Sequence, residues 1–206
     1  MKHLYTLQNI IRVGYFYKKR TEITSTLISN LLPQGCSVLD IGCGDGNISK
    51  LVFDKANLSK IHGLELSVRD KSYIDIDVFD GKNIPFSSNS FDYVMFVDVL
   101  HHTNDQLILL NEAKRLCRQG LIIKDHFNNG FLANQTLKFM DWIGNIAYDI
   151  PLPYNFWEEA QWYQTFDYLN LNIKEIYKDI QFLFPPLNWI FDRSFHFIAK
   201  LELQKN

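Results

Sequence analysis

The residues with the clearest chemical potential lie in the segment Asp40-Ile41-Gly42-Cys43-Gly44-Asp45-Gly46, set between an apolar run and a helical stretch. Glycines at such a junction let the backbone approach a ligand and tolerate φ values that other residues resist. In an open parallel sheet the ligand sits at the carboxyl ends of the strands, near the point where strand order reverses. A dinucleotide fingerprint needs G-x-G-x-x-G, whereas counting from Gly42 gives Gly44 and then Asn47, so the third glycine is missing. A P-loop is excluded because no G-K-[ST] follows. Two acidic positions extend the constellation. Glu65 is placed to accept ribose hydroxyl protons. Asp80, followed by Gly81, is placed to accept a hydrogen bond from an adenine amino group, although Asp-Gly is also a favoured turn pair. Farther on, His101, His102 and His126 supply side chains that accept protons near neutral pH.

These residues need strands to carry them. In the first 32 residues, Leu4, Leu7, Ile10 and Ile11, then Ile23, Leu27, Ile28, Leu31 and Leu32, recur at helical spacing and predict two helices closed by Pro33-Gln34-Gly35. Ser37–Ile41 reads as a strand, Asn47–Lys55 as a helix and Ile61–Glu65 as a second strand. Ser72–Phe79 alternates, with Ile74, Ile76 and Val78 on one face and Asp75, Asp77 and Phe79 on the other, as in a strand with one exposed side. Phe91–Leu100 is almost continuously apolar in its middle, as expected of a strand covered on both faces. A helix over Asp105–Arg118, ended by Gly120, precedes a fifth strand at Leu121–Lys124. Strands separated by helical crossovers predict a mostly parallel α/β sheet flanked by helices. Helices follow over 129–147 and 156–169. Ile173–Leu183 and Phe195–Leu203 then predict an antiparallel terminal hairpin with no helix between, its connection carrying Pro185-Pro186.

VLDIGCGDG (38–46), GLELS (63–67), FDGKNIPFSSNSFDYVMFVDVLHH (79–102) and LIIKDH (121–126) resemble, in order and spacing, the class I S-adenosylmethionine-dependent methyltransferases, small-molecule members above all. The resemblance implies a Rossmann-like, seven-stranded sheet with an antiparallel final strand. It also implies S-adenosyl-L-methionine as cofactor and S-adenosyl-L-homocysteine as product. Carried over by position, Asp40, Gly42, Gly44 and Gly46 would surround the methionine part and ribose. Glu65 would hold the ribose hydroxyls, Asp80 and Gly81 the adenine, and Val97 and Asp98 would face the methionine moiety. One departure from the family stands out: only residues 66–71 separate Glu65 from the predicted third strand, where the family usually has a helix.

Methyl transfer from a sulfonium needs orientation and a dry site more than acid–base chemistry, because the cofactor carries the reactive group. A base is needed only where the acceptor must lose a proton early, and His126 and His101 are the candidates. The scheme requires no metal, and the sequence offers no evident ligand cluster.

Residues 127–170 are read as the acceptor side, between a helical segment and cofactor core (1–34 and 36–126) and the hairpin (171–206), all in one domain. Aromatics crowd this stretch: Phe127, Phe131, Phe139, Trp142, Tyr148, Tyr154, Phe156, Trp157, Trp162, Tyr163, Phe166 and Tyr168. Helically spaced aromatics usually pack a core. The prolines around Tyr154–Trp157 instead suggest a rigid loop, predicted to close with the first helices over an apolar or aromatic acceptor.

Composition limits the partners. With 206 residues and a net charge of −2, the chain suits one domain and lacks the basic surface of a nucleic-acid binder. Lys18-Lys19-Arg20 reads as a solvated helix end or, alternatively, as a contact with an anionic membrane serving a lipid-like acceptor. Cys36, Cys43 and Cys117 form no CxxC pair, and the sparse, odd count fits a reducing, cytoplasmic setting. No apolar run reaches the ~20 residues of a membrane span. The favoured reading is a methyltransferase acting on a small or lipid-like molecule. The alternatives are a non-catalytic cofactor-binding or partner subunit, and a protein or nucleic-acid methyltransferase. Against the last, Asp98-Val99-Leu100-His101 stands where an N-P-P-[YF] motif would lie.

Overall fold

A computed structural model describes residues 15–67, 69–145, 152–192 and 194–204. Helix α1 (Tyr15–Leu31) leads into β1 (Ser37–Ile41), followed by α2 (Asn47–Ala56), β2 (Lys60–Glu65), β3 (Ile76–Val78) and β4 (Phe91–Val97). A 3-10 turn at Leu100–His102 precedes α3 (Gln106–Leu116), β5 (Cys117–His126), α4 (Ala133–Asn145) and α5 (Glu159–Tyr168). Strand β6 (Leu171–Lys178), the single turn α6 (Asn188–Phe191) and β7 (His196–Leu203) complete the order. The earlier helix expected from Leu4 to Ile11 lies outside the described residues. No helix among the described residues is long and apolar enough to cross a membrane.

The seven strands run β3-β2-β1-β4-β5-β7-β6, parallel from β3 to β5, with β7 antiparallel to both its neighbours. Strand order reverses between β1 and β4, so the carboxyl ends of those two strands flank the crevice where such sheets bind ligands. Alternation explains the layers. Leu39, Ile41, Val94, Phe96, Leu121 and Ile123 face one side, against Leu109, Leu110 and Trp162 of α3 and α5. Val38, Tyr93, Met95 and Ile122 face the other, against Ile28, Leu31 and Val52 of α1 and α2.

Several sequence expectations change. The third strand spans only Ile76–Val78, not Ser72–Phe79, and its facing is reversed at the end: Val78 is exposed and Phe79 is buried in the core. No helix occurs among the described residues of 66–75, so β2 and β3 are joined by an irregular segment. Gly120 does not end a helix. Helix α3 passes directly into β5 at Cys117, and Gly120 lies within that strand, where a Cβ would meet the Leu201 carbonyl oxygen at 1.9 Å. Strand β6 stops at Lys178 rather than Leu183, and the one-turn α6 lies in the hairpin connection, where the sequence predicts no helix.

Candidate functional site

Three positive-φ glycines build the turn after β1: Gly42, Gly44 and Gly46, with φ of 76°, 64° and 75°. The Gly42 and Cys43 amides both donate to the Leu64 carbonyl, tying the turn to β2. Any side chain at Gly42 would strike Val99, since an ideal Cβ there comes within 2.5 Å of a Val99 methyl. Asp40, at the end of β1, is buried; its Oδ2 accepts from the Ser49 hydroxyl, while Oδ1 has no partner. Burial pushes its carboxyl up to about 7, with the Ser49 bond opposing and the Glu65 charge adding to the rise.

Glu65 closes β2 half-buried, its Oε2 accepting from the Gly44 amide at 2.7 Å and its Oε1 from the Leu66 amide. It therefore braces the glycine turn. The Arg69 guanidinium lies across Gly44, 3.1 Å from where a Cβ would stand. Asp80 is exposed and occupied by its own turn: Oδ1 accepts from the Lys82 and Asn83 amides, and Oδ2 from the Asn83 side chain. Gly81 follows with φ 81° beside Leu66.

At the end of β4, Val97 is half-buried against the α1–α2 face, and Asp98 takes a left-handed conformation with φ 57°. The Asp98 carboxylate pairs with Arg20 through Oδ2 and with Lys124 through Oδ1. Burial would raise its carboxyl, but Lys124 and Arg20 outweigh that and hold it well below the usual range. Arg20 is thus not a solvated helix end; α1 turns it inward onto β4.

The histidines converge. His101 Nδ1 lies 2.7 Å from Asp125 Oδ1, with both side chains buried, and its Nε2 lies 3.5 Å from Asp141 Oδ1. His102 Nε2 approaches the same Asp141 oxygen at 3.3 Å. Burial works against a charged His101, yet Asp125 and Asp141 carry it up to about 10. His126 Nδ1 sits 3.3 Å from Asp125 Oδ1 and 3.6 Å from Asp98 Oδ1. There burial and the Lys124 charge prevail and push it down to about 3. The two candidate bases therefore differ in state: with only carboxylates as its partners His101 holds its charge, whereas His126 is neutral.

The Tyr154–Trp157 loop closes over this cluster. The Phe156 ring stacks on His101 at 4.7 Å, and the Trp162 indole donates to the His126 carbonyl. Among the acceptor-side aromatics, Phe127, Trp162 and Phe166 are core residues, while Phe131, Phe139 and Tyr168 are exposed. Tyr148 lies outside the described residues. Sequence reading missed Asp125 and Asp141, and found no ligand cluster, where the fold assembles two groups of metal-ligand type: His101, Asp125 and His126, and His101, His102 and Asp141. The run LIIKDH held a signal for Asp125, next to His126; for Asp141 there was none, since it occupies an ordinary position in a helix.

Residues 15–176 match the family described as the methyltransferase domain. The chain is 30% identical over 115 residues to demethylmenaquinone methyltransferase of Bacillus licheniformis, covering 50% of this chain and 49% of that protein. It is 27% identical over 146 residues to 2-methyl-6-phytyl-1,4-hydroquinone methyltransferase of Synechocystis, covering 66% of this chain and 41% of that protein. The chain thus spans about half or less of these relatives. In fold it is similar to a chain of the complex between the Haloferax volcanii Trm112 methyltransferase activator and a putative methyltransferase, with TM-score 0.65, 18% identity and 97% of each chain covered.

Proposed function

The chain belongs to the methyltransferase-domain family of class I S-adenosylmethionine-dependent enzymes, and from that premise we propose that it methylates a small, apolar or lipid-like acceptor. One observation carries the proposal: the glycine turn and the histidine cluster share one strand end. Val99 packs on Gly42, while its neighbour Asp98 lies 3.6 Å from His126. Cofactor and acceptor held there would meet over the end of β4.

The residues present fit the cofactor. Asp40 keeps a buried carboxylate oxygen without a partner, and Glu65 adds a second acidic group beside the turn. Such a pair suits a cationic ligand carrying ribose hydroxyls. Asp40, Gly42, Gly44, Gly46 and Glu65 would hold it, with Val97 and Asp98 at the methionine end. Asp80 and Gly81 would serve the adenine if the Asp80 turn yields one of its hydrogen bonds. When bound, S-adenosylmethionine supplies a methyl carbon whose bond to sulfur breaks as the bond to the acceptor forms, the electron pair returning to sulfur to leave S-adenosylhomocysteine.

Two further groups act on the acceptor. His126, neutral, keeps an imidazole lone pair on Nε2 when Nδ1 donates to Asp125, and we assign it the proton lost by a hydroxyl acceptor. Both nitrogens of His101 face carboxylates rather than the acceptor, so it serves to position the loop and not as the base. Phe156 and Trp157 exclude water from this end of the sheet. Phe139, Trp189 and Ile190 are exposed on α4 and α6, which meet where Phe139 stacks on Phe191, and this supports a lipid-like acceptor and contact with a membrane surface. The names of the two relatives, a demethylmenaquinone and a phytyl hydroquinone enzyme, point the same way.

Transfer of a labelled methyl group to quinol and other apolar extracts tests the proposal, with Asp40→Ala as the control. No label above the control would overturn it. His126→Asn, with cofactor affinity measured separately, tests the proton acceptor: turnover should fall while cofactor binding holds. Unchanged turnover removes His126 from the chemistry.

A further inference from the structure

Beside the methyl-transfer site lies an arrangement that the transfer itself does not use. His101 and His102 are consecutive in the 3-10 turn after β4, and both aim Nε2 at one oxygen of Asp141 on α4, at 3.5 and 3.3 Å. These separations are long for hydrogen bonds. They match the spacing of donor atoms around a shared ion: with metal–ligand bonds of about 2.1 Å, neighbouring ligands of a tetrahedral site stand about 3.4 Å apart. The three ligand atoms all lie within 4.8 Å of one another. We propose that His101 Nε2, His102 Nε2 and Asp141 bind a first-row divalent cation of the zinc type.

Three further observations support the site. The Asp141 side chain is only 8% exposed, and its Oδ2 is buried with no hydrogen-bond partner. An unpartnered carboxylate oxygen in that position is costly unless a cation meets it. His101 and Asp141 each have a further partner, as metal ligands do, whereas His102 Nδ1 is buried with none. Asp125 Oδ1 accepts from His101 Nδ1 at 2.7 Å, leaving Nε2 for the ion, and Asn145 Nδ2 donates to Asp141 Oδ1 at 2.7 Å. Phe156 stacks on the His101 ring and shields it from solvent. Two imidazoles and one carboxylate select a borderline transition cation over magnesium or calcium, which prefer oxygen ligands. Three protein ligands leave at least one coordination position for water or another oxygen donor.

The test requires no methyl acceptor. The chelator-stripped full chain is titrated with Co2+, following its visible d–d absorption, and then with Zn2+ in competition, while thermal unfolding is followed at each stage. One equivalent of Co2+ should develop tetrahedral-type bands that Zn2+ removes, and Zn2+ should raise the unfolding temperature. Asp141→Asn and His102→Gln should each weaken binding at least tenfold, and Asp125→Asn by about 10–100-fold as a residue acting through His101. His102 is the most exposed of the three ligands, so His102→Gln retains the fold if Asp141→Asn does not. Absence of Co2+ bands and of a thermal shift overturns the site. Equal affinity in His102→Gln and the unaltered chain also overturns it, placing the metal elsewhere.

Discussion

The Phe156 ring lies 4.7 Å from that of His101 at an interplanar angle of 21°, so the loop after the acceptor-side helix rests directly on the turn after β4. The same ring stands edge-on to His126 at 5.8 Å and packs with Ala133, Leu137 and Phe195. At this point the loop is part of the packed core. Phe156→Leu, which preserves most of the volume, should cost under about 1.5 kcal/mol of stability, whereas Phe156→Ala should cost about 3. Steady-state kinetics of the leucine variant should show a raised acceptor KM with cofactor affinity unchanged. An unchanged acceptor KM would reduce the loop to packing.

Asp40 makes the protein without its cofactor sensitive to pH. Burial lifts its folded carboxyl to about 7 against 3.8 for an ordinary aspartate, so between these values the folded state binds more protons than the unfolded chain. Stability therefore falls as pH rises from about 4 to about 7. At ~1.4 kcal/mol per unit the loss is on the order of 4 kcal/mol, and Asp40→Asn should abolish that slope. Urea unfolding at pH 5 and pH 8, comparing the two proteins, reads the difference. The affinity of the unaltered protein for a cationic cofactor should weaken as pH falls through 7, and the Asn variant should lack that dependence.

Lys124 is fully buried and paired with Asp98, whose other oxygen meets Arg20. Removing one member of a buried pair strands the other, at a cost of about 3–5 kcal/mol. Lys124→Ala should therefore destabilise strongly in chemical denaturation. Arg20→Ala removes a side chain that is 39% exposed and should cost only about 1 kcal/mol. Equal losses would mean that the two cations share the charge of Asp98 evenly.

Gly120 admits no side chain because β7 passes directly over it, with the Leu201 carbonyl oxygen 1.9 Å from a Cβ position. Relief would have to come from backbone on both strands. Gly120→Ala should thus destabilise by about 3 kcal/mol or more, visible as a lowered denaturation midpoint. Gly130, around which there is open space but φ is 94°, should lose less on the same change.

Much of the fold is written in local pattern. The apolar middle of Phe91–Val97, the short run Ser37–Ile41 and the glycine turn each carry their own periodicity or backbone requirement, and each lies where expected. Where the prediction slipped, local cues competed with long-range contacts. Gly120 resembles a helix stop until β7 pairs against it, and Ser72–Phe79 alternates along its length although β2 pairs only with Ile76–Val78.

The succession of strands along the chain, the mostly parallel sheet and the acidic, glycine-lined turn are legible locally, because each rests on neighbouring residues. The folded chain alone sets which charged groups meet. Arg20 reaches Asp98 across 78 positions, and Asp141 on α4 faces the histidines that follow β4. It also sets their protonation: His101 and His126 are the same residue type, yet buried carboxylates keep one charged, while burial and Lys124 keep the other neutral. Charge states depend on burial and on partners distant in sequence, and both exist only once the chain has folded.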